Sequence, residues 1–136
     1  MRILILGCGP LTSLLLASPD SAEHRFTVIS DDIDRLNGVA DEPRVTPLLI
    51  LEPQMQDYLR MGGIDNADAF LALSEDEHQN ILTAQIAKHV FNVGKVVCRL
   101  ENPQLQRLYS GLDLEMVSPT LDLLQDLNRV LQSQIH

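Results

Sequence analysis

Residues 1–12 read Met1-Arg2-Ile3-Leu4-Ile5-Leu6-Gly7-Cys8-Gly9-Pro10-Leu11-Thr12, and this stretch decides the fold. Ile3 to Leu6 is short and apolar throughout, which suits a strand buried on both faces of a parallel sheet. Gly7-Cys8-Gly9-Pro10 then makes a tight turn. Leucines at 11, 14, 15 and 16 follow in a short packed helix that stops near Ser18-Pro19. Strand, glycine turn and helix in that order supply two of the three glycines of a dinucleotide-binding fingerprint, Gly7 and Gly9. The third position is Thr12, whose side chain would crowd the helix against the strand or against a diphosphate. A glycine pair also serves a tight turn through φ alone, so the turn by itself leaves a nucleotide site and a plain turn both open.

The rest of the chain repeats the strand-then-helix alternation. Phe26-Thr27-Val28-Ile29 predicts a second strand tipped by Ser30-Asp31-Asp32, and Asp32 to Gly38 a helical turn with a glycine stop. Val45 to Leu51 predicts a third strand, in which Pro47 marks a strand start or a sheet edge because it cannot donate to a ladder. Gln54 to Met61 predicts a helix closed by Gly62-Gly63, and Ala69 to Leu73 a fourth strand. Ser74-Glu75-Asp76-Glu77 then caps the longest helix, which runs to about Phe91 with Ile81, Leu82, Ile86, Val90 and Phe91 as its buried stripe. Lys95 to Leu100 and Leu114 to Val117 predict two further strands, with a helix from Asn102-Pro103 to Leu108 between them. Ser118-Pro119 starts a last helix with Leu121, Leu124, Leu127 and Leu131 along one side and Leu123 and Val130 beside them. That stripe could pack on the sheet of its own chain or pair subunits. The pattern predicts one α/β domain over residues 1–136, a Rossmann-like doubly wound parallel sheet of about six strands with helices on both faces.

Composition narrows the function. Hydrophobic residues are 45% and charged residues 21% of 136, which is globular and far from a disordered chain. Ten Lys and Arg against nineteen Asp and Glu give a net charge of −9. That charge repels phosphate backbones and anionic lipid, so neither nucleic acid nor direct membrane insertion is expected. Met1 to Leu6 is too short for a signal sequence, and the apolar runs fall below the roughly 18 residues of a membrane helix, so the chain is expected to be cytoplasmic. Cys8 and Cys98 match no metal or redox spacing and read as buried free thiols. His78 and His89 share a helix but stand about 16 Å apart along it, and with His24 and His136 they form no metal cluster. No acid–base or nucleophilic arrangement can be argued, and the length disfavours a two-domain dehydrogenase. An enzyme is not expected.

In a doubly wound sheet, ligands sit at the carboxyl ends of the strands, near the switch in strand order. An acid at the end of the second strand would hold a ribose hydroxyl. Here Ser30 stands in that place and Asp31 one residue beyond. Either the strand end bends to bring Asp31 in, or Ser30 makes a weaker contact, or the segment is a solvated acidic turn. Asp31, Asp32 and Asp34 with only Arg35 nearby disfavour a 2′-phosphate.

The whole pattern resembles the N-terminal (TrkA-N) subdomain of the domains that regulate potassium conductance, the RCK domains of potassium channels and of Trk/Ktr-type potassium-uptake regulatory subunits. The matching segments are Arg2 to Gly9, Phe26-Thr27-Val28-Ile29 with Asp34-Arg35-Leu36, and Leu59-Arg60 with Gly62-Gly63-Ile64. They continue through residues 65–74, Asp76-Glu77-His78-Gln79-Asn80, Val97 to Pro103 and Val117-Ser118-Pro119, with Gly63 to Asn80 the most specific.

The resemblance implies a cytosolic regulatory domain that senses an adenine nucleotide (NAD/NADH or ATP/ADP) and couples it to a membrane channel or transporter. Carried over by residue, it implies a binding site of Gly7, Cys8, Gly9, Pro10, Leu11, Ser30, Asp31, Glu52, Ser74, Asn80 and Arg99. Arg99 would neutralise a diphosphate, or pair with Glu101 as a surface arginine. It further implies a homodimer or larger ring, since helices at this end of the family's domain take part in subunit pairing. The resemblance covers one nucleotide-fold subdomain, without the smaller ligand-binding subdomain that often follows it. The sequence departs from the family at Thr12, at Ser30, and at Leu51-Glu52, where the family has Gly-Asp. Those departures support the alternative of an oligomerisation module whose site is degenerate and empty. A small NAD-dependent oxidoreductase is the remaining alternative.

Overall fold

The computed structural model describes residues 1–50, 55–111 and 114–133. Six strands form one sheet: β1 (Arg2–Leu6), β2 (Arg25–Ser30), β3 (Val45–Leu49), β4 (Ala69–Ala72), β5 (Lys95–Arg99) and β6 (Glu115–Val117). Between them run α1 (Pro10–Ala17), α2 (Ile33–Val39), α3 (Met55–Met61), α4 (Glu77–His89) and α5 (Pro103–Tyr109), and α6 (Pro119–Ser133) follows β6. The strand order is β3-β2-β1-β4-β5-β6, and every pairing is parallel. The chain therefore winds outward from β1 in one direction and then from β4 in the other. That puts the topological switch between β1 and β4. Pro47 sits in β3, an edge strand, where its missing donor costs no central ladder bond.

Strand side chains alternate between the two faces of the sheet, and two cores result. On one face Leu4, Leu6, Ile29 and Phe70 pack with Leu59 of α3 and with Ile81, Ala84 and Ala87 of α4. On the other, Ile3, Ile5, Phe26 and Val28 pack with Leu16 of α1 and Leu36 of α2. Burying each such Leu, Ile or Phe side chain contributes about 1.5–3 kcal/mol, so the continuous apolar run of β1 is what holds the two halves together.

Three expectations are corrected. The buried face of α4 is Asn80, Ile81, Thr83, Ala84 and Ala87, while Leu82 and Val90 are 56% and 54% exposed. Short side chains let this helix lie close on β4 and β5, and closeness outweighs the larger apolar residues. The second correction is α2, which runs through Gly38 to Val39. The third is α6, whose Leu123, Leu124, Leu127, Val130 and Leu131 are each at least half exposed. The stripe does not pack on its own sheet.

Candidate functional site

The glycine turn lies at the switch point and is tied to both neighbours of β1. The Gly7 amide donates to the Ile29 carbonyl at 2.7 Å, and the Leu73 amide to the Leu6 carbonyl at 2.9 Å. Gly7 has φ +105°, and a β-carbon there would lie 2.8 Å from both Cα and N of Ser74. Only glycine allows β1 to leave the sheet this close to the exit of β4. Gly9 is the N-cap of α1 and Pro10 its first residue, and among the described residues no side chain caps the helix. The positive end of the α1 dipole is thus left to whatever occupies the turn.

Thr12 does not crowd the helix. It is fully buried, and its hydroxyl donates to the Gly7 carbonyl at 2.8 Å. A threonine here replaces the third glycine with a hydrogen bond that pins α1 to the turn.

Beside this turn a cleft of about 300 Å³ brings together Gly7, Cys8, Gly9, Ser30, Asp31 and Ser74. Its wall also holds Asp32 and Arg35, which the sequence set beside the site, and Glu75, Asp76 and Gln79, which residue spacing did not single out. The Ser30 hydroxyl accepts from the Asp32 amide at 3.1 Å and so turns the chain at the end of β2. Pro10 lies in an adjoining recess with Cys8, Gly9 and Arg35. Leu11 packs into the α1 and α2 core, so its side chain is structural. Glu52, with Leu51, lies outside the described residues.

Asn80 and Arg99 stand behind the cleft rather than in its wall. Asn80 is fully buried. Its Oδ1 accepts from the Ser74 amide at 3.0 Å and the Ser74 hydroxyl at 2.7 Å. Its Nδ2 donates to the carbonyls of Ser74 at 2.8 Å and Arg99 at 3.0 Å. One side chain therefore joins the carboxyl ends of β4 and β5. The Arg99 side chain pairs with Glu101, Nε to Oε1 at 3.5 Å. Glu77 adds a second brace that sequence reasoning missed. Its Oε1 accepts from the Glu101 amide and, at 2.9 Å, from the Asn102 amide that opens α5. An acid in the first turn of α4 was the available signal, but its partners lie 24 and 25 residues on.

The electrostatics of the cleft are lopsided. Asp31, Asp32, Glu75 and Asp76 face one cation among the described lining residues, Arg35. Arg35 spans the turn: Nε lies 3.4 Å from Asp32 Oδ2, and Nη1 lies 3.4 Å from Glu75 Oε1. The same Nη1 is 3.6 Å from where a Gly9 β-carbon would be. The Cys8 thiol donates to the Arg35 carbonyl at 3.3 Å, and burial raises its pKa, with Arg35 acting the other way. Cys98 is also a free, buried thiol, pushed up to about 11 by burial and then by the Glu77 charge. Among the described residues no group of three His, Cys, Asp or Glu could hold a metal ion, and no helix is long and apolar enough to cross a membrane.

Comparison with known proteins gives a consistent set of likenesses. The family model described as the TrkA-N domain matches residues 3–119. The Trk system potassium uptake protein TrkA of Streptomyces coelicolor is 34% identical over 121 residues, which are 87% of this chain and 52% of that protein. A TrkA homolog of Archaeoglobus fulgidus is 28% identical over 137 residues, 96% of this chain and 30% of that protein. The chain thus spans about half or less of these relatives. Among solved structures, the TrkA-N domain of the inner membrane protein ybaL from Escherichia coli superposes with a TM-score of 0.82 at 12% identity, covering 96% of each chain. A GsuK channel bound to NAD gives 0.69 at 19% identity over 85% of this chain and 21% of that one. At such identities the structures speak to the fold alone.

Proposed function

The chain belongs to the TrkA-N domain family, and from that premise we propose that it is a regulatory, non-catalytic domain of potassium transport whose glycine-turn cleft binds an adenine nucleotide. One observation carries this reading. The uncapped start of α1, the close-packed Gly7 and the acid-tipped end of β2 converge at the β1/β4 switch. A diphosphate fits that place, because the amide end of α1 and the Arg35 guanidinium both favour negative charge. Gly7 and Gly9 would let the backbone approach it, and Asp31 would take a ribose hydroxyl. When bound, the nucleotide supplies its own charge and no chemistry, as befits a sensor. The relatives named for potassium uptake support a transport partner at the cytoplasmic face of a membrane.

Occupancy has a route outward. Ser74 in the cleft wall bonds Asn80, Asn80 bonds the Arg99 carbonyl, and the Arg99 side chain pairs with Glu101. Glu101 accepts from the Ser118 hydroxyl at 3.4 Å, and Ser118 accepts from the Leu121 amide at the start of α6. The exposed leucines of α6 are the surface on which we place pairing with a second copy. A Leu127→Asp change there is expected to turn a dimer into a monomer by light scattering at tens of micromolar, and a monomeric parent protein would sink the pairing.

The test of sensing is a calorimetric titration with NAD, NADH, ATP, ADP and AMP. The expected result is saturable binding of at least one, about tenfold weaker in Arg35→Gln. Silence toward all five ends the sensing proposal. It would favour a second reading, an oligomerisation module with an empty cleft, for which the four rim carboxylates are the supporting observation.

A further inference from the structure

The opposite end of the sheet has the opposite charge. The chain has only ten Lys and Arg at a net charge of −9. Yet Arg2, Arg25 and Arg44 gather around one pocket of about 300 Å³ near the amino ends of β1 and β2. Arg2 and Arg25 are register partners on neighbouring parallel strands. Their side chains leave the same face of the sheet about 4.8 Å apart, where like charges repel. Two things relieve such a pair: carboxylate partners, or an anion shared between them.

Among the described residues carboxylate partners are absent. Among the described residues neither guanidinium has a carboxylate within ion-pairing distance, and the pairs present use Arg35, Arg44, Lys95, Arg99 and Arg129. Asp68 is engaged by the Arg2 backbone amide, at 2.8 Å. Asp68 and Glu23 border a neighbouring recess that Arg2 and Arg25 share. Among the described residues no carboxylate lines the pocket itself.

Arg44 differs from the other two. It bonds the carbonyls of Leu16, at 3.1 Å, and Ser21, and pairs with Glu42 at 3.3 Å. It neutralises the carbonyl end of α1, which leaves Arg2 and Arg25 to the pocket. The rest of the polar wall is neutral: Thr27 and Thr46, themselves register partners on β2 and β3, and Asn66.

We propose that this pocket is a second ligand site that binds a small phosphate-bearing anion, a phosphomonoester or inorganic phosphate. Two guanidinium forks side by side match a tetrahedral dianion, which offers enough oxygens for both, better than a single carboxylate does. The volume exceeds what a phosphate alone fills and leaves room for a small organic group. The site is separate from the glycine-turn cleft. The five residues of β1 lie between them, about 16 Å of strand, so one phosphate group cannot serve both.

The test follows backbone amides and arginine Nε–H signals by NMR while inorganic phosphate or glycerol 3-phosphate is added at constant ionic strength. Saturable shifts are expected at Arg2, Arg25, Thr27, Thr46 and Asn66. Binding should be about tenfold weaker in Arg2→Gln or Arg25→Gln and unchanged in Arg35→Gln, which alters the other end. Both arginines are exposed, so these variants keep the fold, and an unchanged thermal midpoint verifies it. A parallel arm adds phosphatidylglycerol vesicles, and no capture is expected. The proposal is overturned by shifts that fail to saturate, or that chloride reproduces at the same ionic strength. It is also overturned by shifts centred on the glycine turn, or by arginine-dependent vesicle capture without binding of either soluble phosphate.

Discussion

At the carboxyl end of the sheet, close backbone packing shapes the cleft beneath its charged rim. Gly7 lies against the main chain of Ser74, Thr12 bonds a carbonyl of the turn, and Asn80 spends all its hydrogen bonds on main-chain and hydroxyl groups of β4 and β5. At the amino end the walls are side chains: Arg2 and Arg25 stand at the amino ends of two interior strands, with no carboxylate partner among the described residues, beside threonines. The first end holds its shape by close approach, so shape there cannot change without disturbing the sheet. The second holds a charge that the fold does not need. Binding at the carboxyl end is therefore bound up with stability, whereas at the amino end it can be altered separately.

The contrast can be broken most directly at Asn80. An Asn80→Ala change leaves buried groups of Ser74 and Arg99 unpaired and is expected to cost about 3–4 kcal/mol in denaturant unfolding. A loss below about 1 kcal/mol would mean that the strand ends are joined by something else. Gly7→Ala comes next, at about 2–3 kcal/mol, because it combines a left-handed φ with a β-carbon 2.8 Å from backbone. The same substitution at Gly9, whose β-carbon would meet only the mobile end of Arg35, should be far milder.

Alkaline pH gives a smaller effect with a defined sign. Cys98 is raised from 9.0 to about 11, so between those values the native state holds a proton that the unfolded chain has lost. Stability is therefore full below about pH 9 and falls as pH rises toward 11. Cys98→Ala should flatten that slope, although the cavity lowers stability at every pH. An unchanged slope would remove Cys98 as its source.

The smallest effect is expected at the amino end and has the opposite direction. Arg25→Gln relieves repulsion with Arg2 and should raise stability by up to about 0.5 kcal/mol at low salt, vanishing at high salt. A loss of more than about 1 kcal/mol would show Arg25 to be structural and erase the distinction between the two ends.

Much of this was legible in the residues. β1 and the glycine turn announce themselves because a fully apolar run followed by Gly-x-Gly has few other solutions, and Pro47 points to an edge strand through its missing donor. Six residues of the expected site, from Gly7 to Ser74, do line one cleft. What was not legible involves partners distant in the chain. Apolar spacing in α4 suggested one face, but the proximity of β4 and β5 selected Ala84 and Ala87 instead. The α6 stripe has helical spacing whether it meets a sheet, a second copy or water. For Arg99 the residues left a diphosphate and Glu101 both open as partners, and the structure pairs its side chain with Glu101.

By itself the sequence determined the alternation of strands and helices, the parallel sheet and the glycine turn at the end of β1. These follow from hydrophobic period and turn chemistry, which act over a few residues. Only the tertiary structure decided which charges meet. Arg2 and Arg25 become neighbours through the register of β1 on β2, and Asn80 finds the Arg99 carbonyl 19 residues away through the seating of α4. Register and seating are set by how the two cores fill. No local run of residues encodes that, because every strand and helix must be in place before the last side chains know their partners.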